Sequence, residues 1–165
     1  NKAVSFKLRG ELMKGRFMKL YNKALKENPS PEFLIKLGSM HTMRGKTPLG
    51  IVDIGERVHQ LAKINGSQDL NIHFMFRYYL NDEDGFGYFD NADGKSQWLK
   101  ERNPIHLQGK VDEWALIDLV SLGQYVVENT IQTYPAITDL IRRHDYIIIP
   151  PVTRDVELNY DSKMD

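Results

Sequence analysis

Apolar residues recur at steps of three, four and seven between Ser5 and Glu27, where Phe6, Met13, Phe17, Leu20, Tyr21 and Ala24 define one helical face. Gly10 and Gly15 interrupt the propensity of that helix. Asn28, Pro29 and Pro31 stop it. Phe33 to Leu37 follows as a short apolar run and predicts a buried strand. Ile51, Ile54, Val58, Leu61 and Ala62 then mark a second helical face, with Thr47-Pro48 before it and Asn65-Gly66 closing it.

From Leu70 to Leu80 the pattern changes period. Leu70, Ile72, Phe74, Phe76, Tyr78 and Leu80 alternate with more polar positions, which predicts one long strand. An Asp- and Gly-rich stretch, NDEDGFGYFDNADGKSQWLKERNP, reads as a long irregular connection. WALIDL, Trp114 to Leu119, predicts a further strand. Thr133 to Arg143 predicts a helix with Pro135 near its start, and Tyr146 to Ile149 a last buried strand halted by Pro150-Pro151.

The alternation of helices and strands implies an α/β fold, a mainly parallel sheet of about four strands with helices packed on it. Residues 1–158 are read as a single domain, part of a larger one, and residues 159–165 as a polar tail. In open sheets of this kind ligands gather beyond the carboxyl ends of strands. FLIKLGSMHTMRG, Phe33 to Gly45, places His41 just past one such end.

Composition narrows the function. With 41% hydrophobic and 10% aromatic residues, 165 residues can bury an ordinary core. Lys+Arg and Asp+Glu both number 22, so no broad basic surface for nucleic acid is expected. No apolar run approaches the about 20 residues of a membrane span. The absence of cysteine excludes disulfides, thiolate zinc sites and cysteine nucleophiles.

His41 and Arg44 are the first candidates for chemistry. A histidine can act as a general base near neutral pH, and an arginine three residues on can bind an anion or a developing oxyanion. The plainer alternative is a loop histidine bonded to backbone beside an arginine held in a salt bridge. Arg9 and Glu11 in LRGELM head the first helix and are, with Tyr79, the candidates for substrate binding; Glu11 also suits the helix dipole, and Arg9 calls for an acidic partner. Asp53 qualifies for that, or as the group that orients His41, or simply as an anion at the start of its own helix. Tyr79 belongs to an aromatic-rich patch with Tyr78, Phe86, Tyr88, Phe89 and Trp98, which suits a pocket, a partner surface or ordinary loop packing.

Metal chemistry finds little support. The acidic loop lacks the alternate-position register of a calcium site, and no H-x-x-x-H or H-E-x-x-H spacing exists for zinc. His59, His73, His106 and His144 are scattered. No G-x-S-x-G elbow, P-loop or G-x-G-x-x-G occurs either. Neither a metal nor a cofactor is expected.

Four stretches taken in order, RGELMKGRFMKLY, FLIKLGSMHTMRG, WALIDL and HDYIIIPPVTRDVEL, resemble the C-terminal half of the erythromycin-esterase-like proteins. These are bacterial hydrolases and hydrolase relatives, distantly akin in architecture to haem-binding and peptidase proteins of the Tiki type. The resemblance implies a hydrolytic site shared between two halves of a domain. His41 matches the second histidine of the family's loop, and Gly38 stands where the family usually has another. The acidic motif of the family's N-terminal half has no counterpart in this chain. The expected partners are therefore the remainder of the chain's own polypeptide and a small-molecule ester or other ligand. A non-catalytic ligand-binding or protein-interaction domain that retains the fold is the alternative, and haem binding through His41 follows only from the distant relatives.

Overall fold

Twenty-six residues, Lys2–Glu27, form the first helix, α1. Its inward positions, Phe6, Gly10, Met13, Lys14, Phe17, Met18 and Tyr21, repeat at three and four, while Leu20 on the same stretch is exposed. The backbone N–H of Asn28 still bonds to Ala24 O, and Pro29 supplies no further donor. The computed structural model describes residues 2–81, 87–93, 97–128 and 130–151.

After α1 come α2 (Ser39–Thr42), α3 (Ile54–Ile64), β1 (Ile72–Phe74), β2 (Tyr78–Asn81) and β3 (Gly87–Asp90). A 3-10 turn at Asn91–Asp93 leads to α4 (Gln97–His106), β4 (Ala115–Asp118), α5 (Leu119–Val127), α6 (Pro135–Arg143) and β5 (Tyr146–Ile149). Among the described residues helix far outweighs strand.

The expected α/β fold with a mainly parallel four-stranded sheet is corrected by this topology. Among the described residues three strands form the main sheet, in the order β1-β5-β4, with β1 parallel and β4 antiparallel to β5. The mixed direction follows from the connections. One crossover helix returns a chain to the end where its strand began, but two successive helices carry it to the opposite end. Here α5 and α6 together join β4 to β5, which leaves the pair antiparallel.

Two predicted strands are also corrected. Phe33 to Leu37 pairs with no strand among the described residues; Phe33 packs on Phe17 and Tyr21, and Leu34 is fully exposed. An apolar run becomes a strand only where a neighbour accepts its hydrogen bonds. The alternating run Leu70 to Leu80 is divided for a related reason. Met75 N–H bonds to Ile148 O, and β5 then ends at Pro150, so β1 loses its partner. The chain resumes as β2 in a separate antiparallel hairpin with β3, where Tyr79 pairs with Phe89. The stretch that reads as irregular holds β3 and most of α4, and α5 lies where the sequence pattern predicts no helix. Phe86 and residues 159–165 lie outside the described residues, as do parts of the acidic loop, 82–86 and 94–96.

The core sits on one face of the sheet. Ile147 and Ile149 are completely buried and pack with Met75, Ile105 of α4, Leu119 of α5, and Ile137 and Leu140 of α6. Each such fully buried side chain contributes about 1.5–3 kcal/mol by area transfer. The opposite face carries Ile72 and Phe74 of β1 and Leu116 of β4, all of which remain exposed. No helix among the described residues is long and apolar enough to cross a membrane.

Candidate functional site

The loop between α2 and α3 brings two residues twelve positions apart into contact. Gly45 and Gly50 adopt φ of 75° and 74°, a region that favours glycine, and so let the chain reverse. Lys46 and Val52 then form an isolated antiparallel bridge, reinforced by Thr47 N–H to Ile51 O and Gly50 N–H to Thr47 O. Asp53 emerges from this reversal at the N-cap of α3, in extended conformation, where its Oδ1 accepts from Ile54 N–H at 2.7 Å.

Its second oxygen, Oδ2, lies 2.8 Å from Nδ1 of His41. The Asp53 side chain is completely buried, and that of His41 is 12% exposed. A buried carboxylate accepts, so Nδ1 is the donor and carries the proton. His41 Nε2 has no hydrogen-bond partner among the described residues and is not among the buried unpartnered atoms, so it reaches solvent. The arrangement is an oriented imidazole: one nitrogen anchored to a carboxylate, the other presented outward.

Two close approaches hold this pair. Phe6 of α1 stacks on the His41 ring with centroids 4.6 Å apart and planes 7° from parallel. A Cβ at Gly10 would stand 3.0 Å from Asp53 Oδ2, so α1 lies against the carboxylate at a distance only glycine permits without movement. On the other side, a Cβ at Gly55 would stand 2.0 Å from Thr42 O, which makes that glycine a condition for seating α3 against α2.

Arg44 goes elsewhere. Its Nη1 and Nη2 donate to Asp145 at 2.7 and 2.5 Å, and its Nε and Nη2 donate to Asp69 Oδ2 at 3.1 and 2.8 Å. Burial alone would lower the guanidinium's affinity for its proton, and the two carboxylates outweigh that and raise it. Burial likewise opposes the Asp69 charge, but bonds from His59 and Arg44 hold its carboxyl below the ordinary range. Asp145 also accepts from Asn71 N–H at 2.7 Å. Arg44 thus fastens the α2 loop to the starts of β1 and β5, and both of its carboxylate partners are internal.

The other sequence candidates are dispersed. Arg9 is exposed on α1, with Gly10 rather than Arg9 against Asp53. Glu11 pairs with Lys14 at 2.8 Å, and Lys14 also donates to Val52 O at 3.0 Å. Tyr79 belongs to the hairpin. The structure therefore joins His41 to Asp53 and separates that pair from Arg44.

A second histidine pair was not evident from the sequence. His73 of β1 and His144, the residue after α6, stack at 4.6 Å and 20°. Asn71 Nδ2 donates to Thr42 O, which orients its Oδ1 toward His144 Nδ1 at 2.8 Å. His144 Nε2 is buried with no hydrogen-bond partner. Burial, with neighbouring His73 and Arg143, pushes His144 down to about 3. Burial and the charges of Arg102 and His106 push His73 down to about 4. Both are neutral at pH 7. No group of three His, Cys, Asp or Glu residues that could hold a metal ion occurs among the described residues.

The signal that could have revealed Asp69 and Asp145 is the demand of a partly buried arginine for counter-charges, but spacings of 25 and 101 residues leave no local trace. In comparisons with known proteins, no family model matches the chain, and no curated protein and no solved structure matches it.

Proposed function

We propose that this chain contributes part of a hydrolytic site in which His41 is the general base and Asp53 orients it. The observation that supports this reading is the 2.8 Å contact between His41 Nδ1 and a completely buried carboxylate, with Nε2 left facing solvent. In that tautomer Nε2 holds a lone pair and can accept a proton from water as the water oxygen attacks an ester or lactone carbonyl. The same proton then passes to the departing alkoxide. Asp53 keeps the ring in place and stabilises the imidazolium formed between the two transfers.

Ester chemistry enters through the resemblance of RGELMKGRFMKLY, FLIKLGSMHTMRG, WALIDL and HDYIIIPPVTRDVEL to erythromycin-esterase-like proteins, in which a second half of the domain supplies further acidic and histidine groups. Arg44 has a different place in this reading. With its guanidinium engaged by Asp69 and Asp145, it fixes the loop that follows α2, the helix that carries His41, and leaves the oxyanion to another donor. Arg9 and Tyr79 remain candidates for substrate contact, and Glu11 is tied to Lys14.

The test is an ester and lactone panel applied to the longest natural polypeptide that contains this chain, with His41→Ala and Asp53→Asn beside it. Loss of a general base lowers turnover by about 10²–10⁴-fold. Equal turnover by all three proteins removes His41 from the mechanism.

A second reading has its own support. The uncovered sheet face, where Phe74 is 51% and Leu116 66% exposed, is apolar on a sheet that contains a parallel pair, and parallel strands are usually covered on both sides. This favours an interaction domain without the chemistry. A chain that binds its partner normally as His41→Ala and hydrolyses nothing on the panel selects this second reading.

A further inference from the structure

Helix α1 touches the body of the protein along a ladder of every fourth residue. Phe6 lies on the His41 ring, Gly10 against the Asp53 carboxylate, and Lys14 on the Val52 carbonyl. Positions i, i+4 and i+8 share one helical face, so a single surface of α1 follows the segment that builds the histidine–aspartate pair. The opposite face is not held in this way: Val4, Leu8 and Leu12, also four apart, are each more than 60% exposed.

We infer that α1 is the positioning element of the site, with Phe6 and Gly10 as positioning residues for His41 and Asp53. Two degrees of freedom must be set for the imidazole: its swing about the side-chain bonds, and the tilt of its plane. The Nδ1 bond to Asp53 limits the first. The near-parallel ring of Phe6 limits the second, because a face-to-face stack at 4.6 Å leaves no room to tilt on that side. Phe6 also covers one face of the ring, so a reactant reaches the nitrogen at the ring edge, which is where Nε2 stands.

Gly10 acts through distance. With its Cβ position 3.0 to 3.2 Å from three atoms of the Asp53 carboxyl group, any side chain there moves either the helix or the carboxylate. Gly15 of the same helix has nothing within 4 Å, so the close approach is particular to Gly10. The inference deepens the hydrolytic reading, on which the word "site" rests, and its geometry can be tested without any activity.

The experiment is solution NMR of the histidine rings in the wild-type chain and in Phe6→Leu, Phe6→Tyr and Gly10→Ala. Wild type is expected to show nuclear Overhauser contacts between the Phe6 and His41 rings, with the His41 ring protons shifted upfield by the stacked aromatic. Phe6→Tyr keeps that shift and Phe6→Leu abolishes it. Gly10→Ala alters the His41 Nδ1 resonance as the Asp53 bond is displaced. Absence of the wild-type contacts, or identical His41 shifts in wild type and Phe6→Leu, overturns the inference, and the wild-type contacts need no variant to fold. If the contacts are present and His41→Ala has full activity, the positioning geometry stands and the hydrolytic reading falls.

Discussion

His41 is largely buried and His144 wholly so, and they meet opposite surroundings. His41 is anchored at Nδ1 by a carboxylate and presents Nε2 outward. His144 is anchored at Nδ1 by a neutral amide, faces another histidine, and buries Nε2 without a partner. The first orients the ring and leaves one nitrogen open to a reactant. The second resists protonation, because desolvation is uncompensated and the nearby charges of Arg143, Arg44 and Arg102 are of the same sign. Burial of a histidine therefore says little about its use; the partner of the bonded nitrogen and the access of the other decide it.

The sharpest way to break the His41 side of this comparison is Gly55→Ala. A Cβ 2.0 Å from Thr42 O forces α2 and α3 apart, and overpacking of this kind costs about 3 kcal/mol or more. Denaturant unfolding should show that loss, together with loss of the His41–Asp53 contact. The counterpart Gly15→Ala meets nothing and should stabilise the exposed interior of α1 by about 0.5–1 kcal/mol.

Arg44→Met tests whether the loop depends on its internal ion pairs. Leaving Asp69 and Asp145 without their arginine should cost about 2–3 kcal/mol, below the value for fully buried pairs because these partners keep some solvent contact. Urea unfolding measures it, and an unchanged midpoint would assign the loop's rigidity to its other ties, the Lys46–Val52 bridge, Gly45 N–H to Glu56, and Arg143 to the Arg44 and Lys46 carbonyls.

The His144 side of the comparison predicts acid sensitivity. His73 and His144 have folded values of about 4 and about 3, below their ordinary 6.5, so the unfolded chain binds protons that the folded chain refuses. Their contribution is complete above pH 6.5 and declines as pH falls toward the folded values, by about 1.4 kcal/mol per pH unit for each proton taken up. His73→Phe should make the decline shallower between pH 6 and 4.5 in chemical unfolding. An identical slope in the two proteins would mean that other groups dominate acid unfolding.

The legible parts of the fold are those whose pattern is satisfied locally. Three helices, α1, α3 and α6, carry apolar stripes of period 3.6, and their ends coincide with Asn28-Pro29, Asn65-Gly66 and Pro135. Strands depend on a neighbour, and the alternation from Leu70 to Leu80 could not reveal that β5 stops pairing at Pro150. The helix α4 was hidden by its low amphipathicity and by Pro104 inside it, and α5 by β-branched residues continuous with the strand before it. At the site, His41 and Asp53 were visible as residue types, while their contact is a product of the loop closed by Gly45 and Gly50. Phe6 and Gly10 carry no local signal beyond helix, because what they touch is distant in sequence.

The most direct test of the account is the tautomer of His41, read from long-range proton–nitrogen NMR correlations at a pH where the ring is neutral. The account predicts a protonated Nδ1 and a bare Nε2 in the wild-type chain, with that preference weakened in Asp53→Asn. A proton on Nε2, or a tautomer indifferent to Asp53, would contradict it.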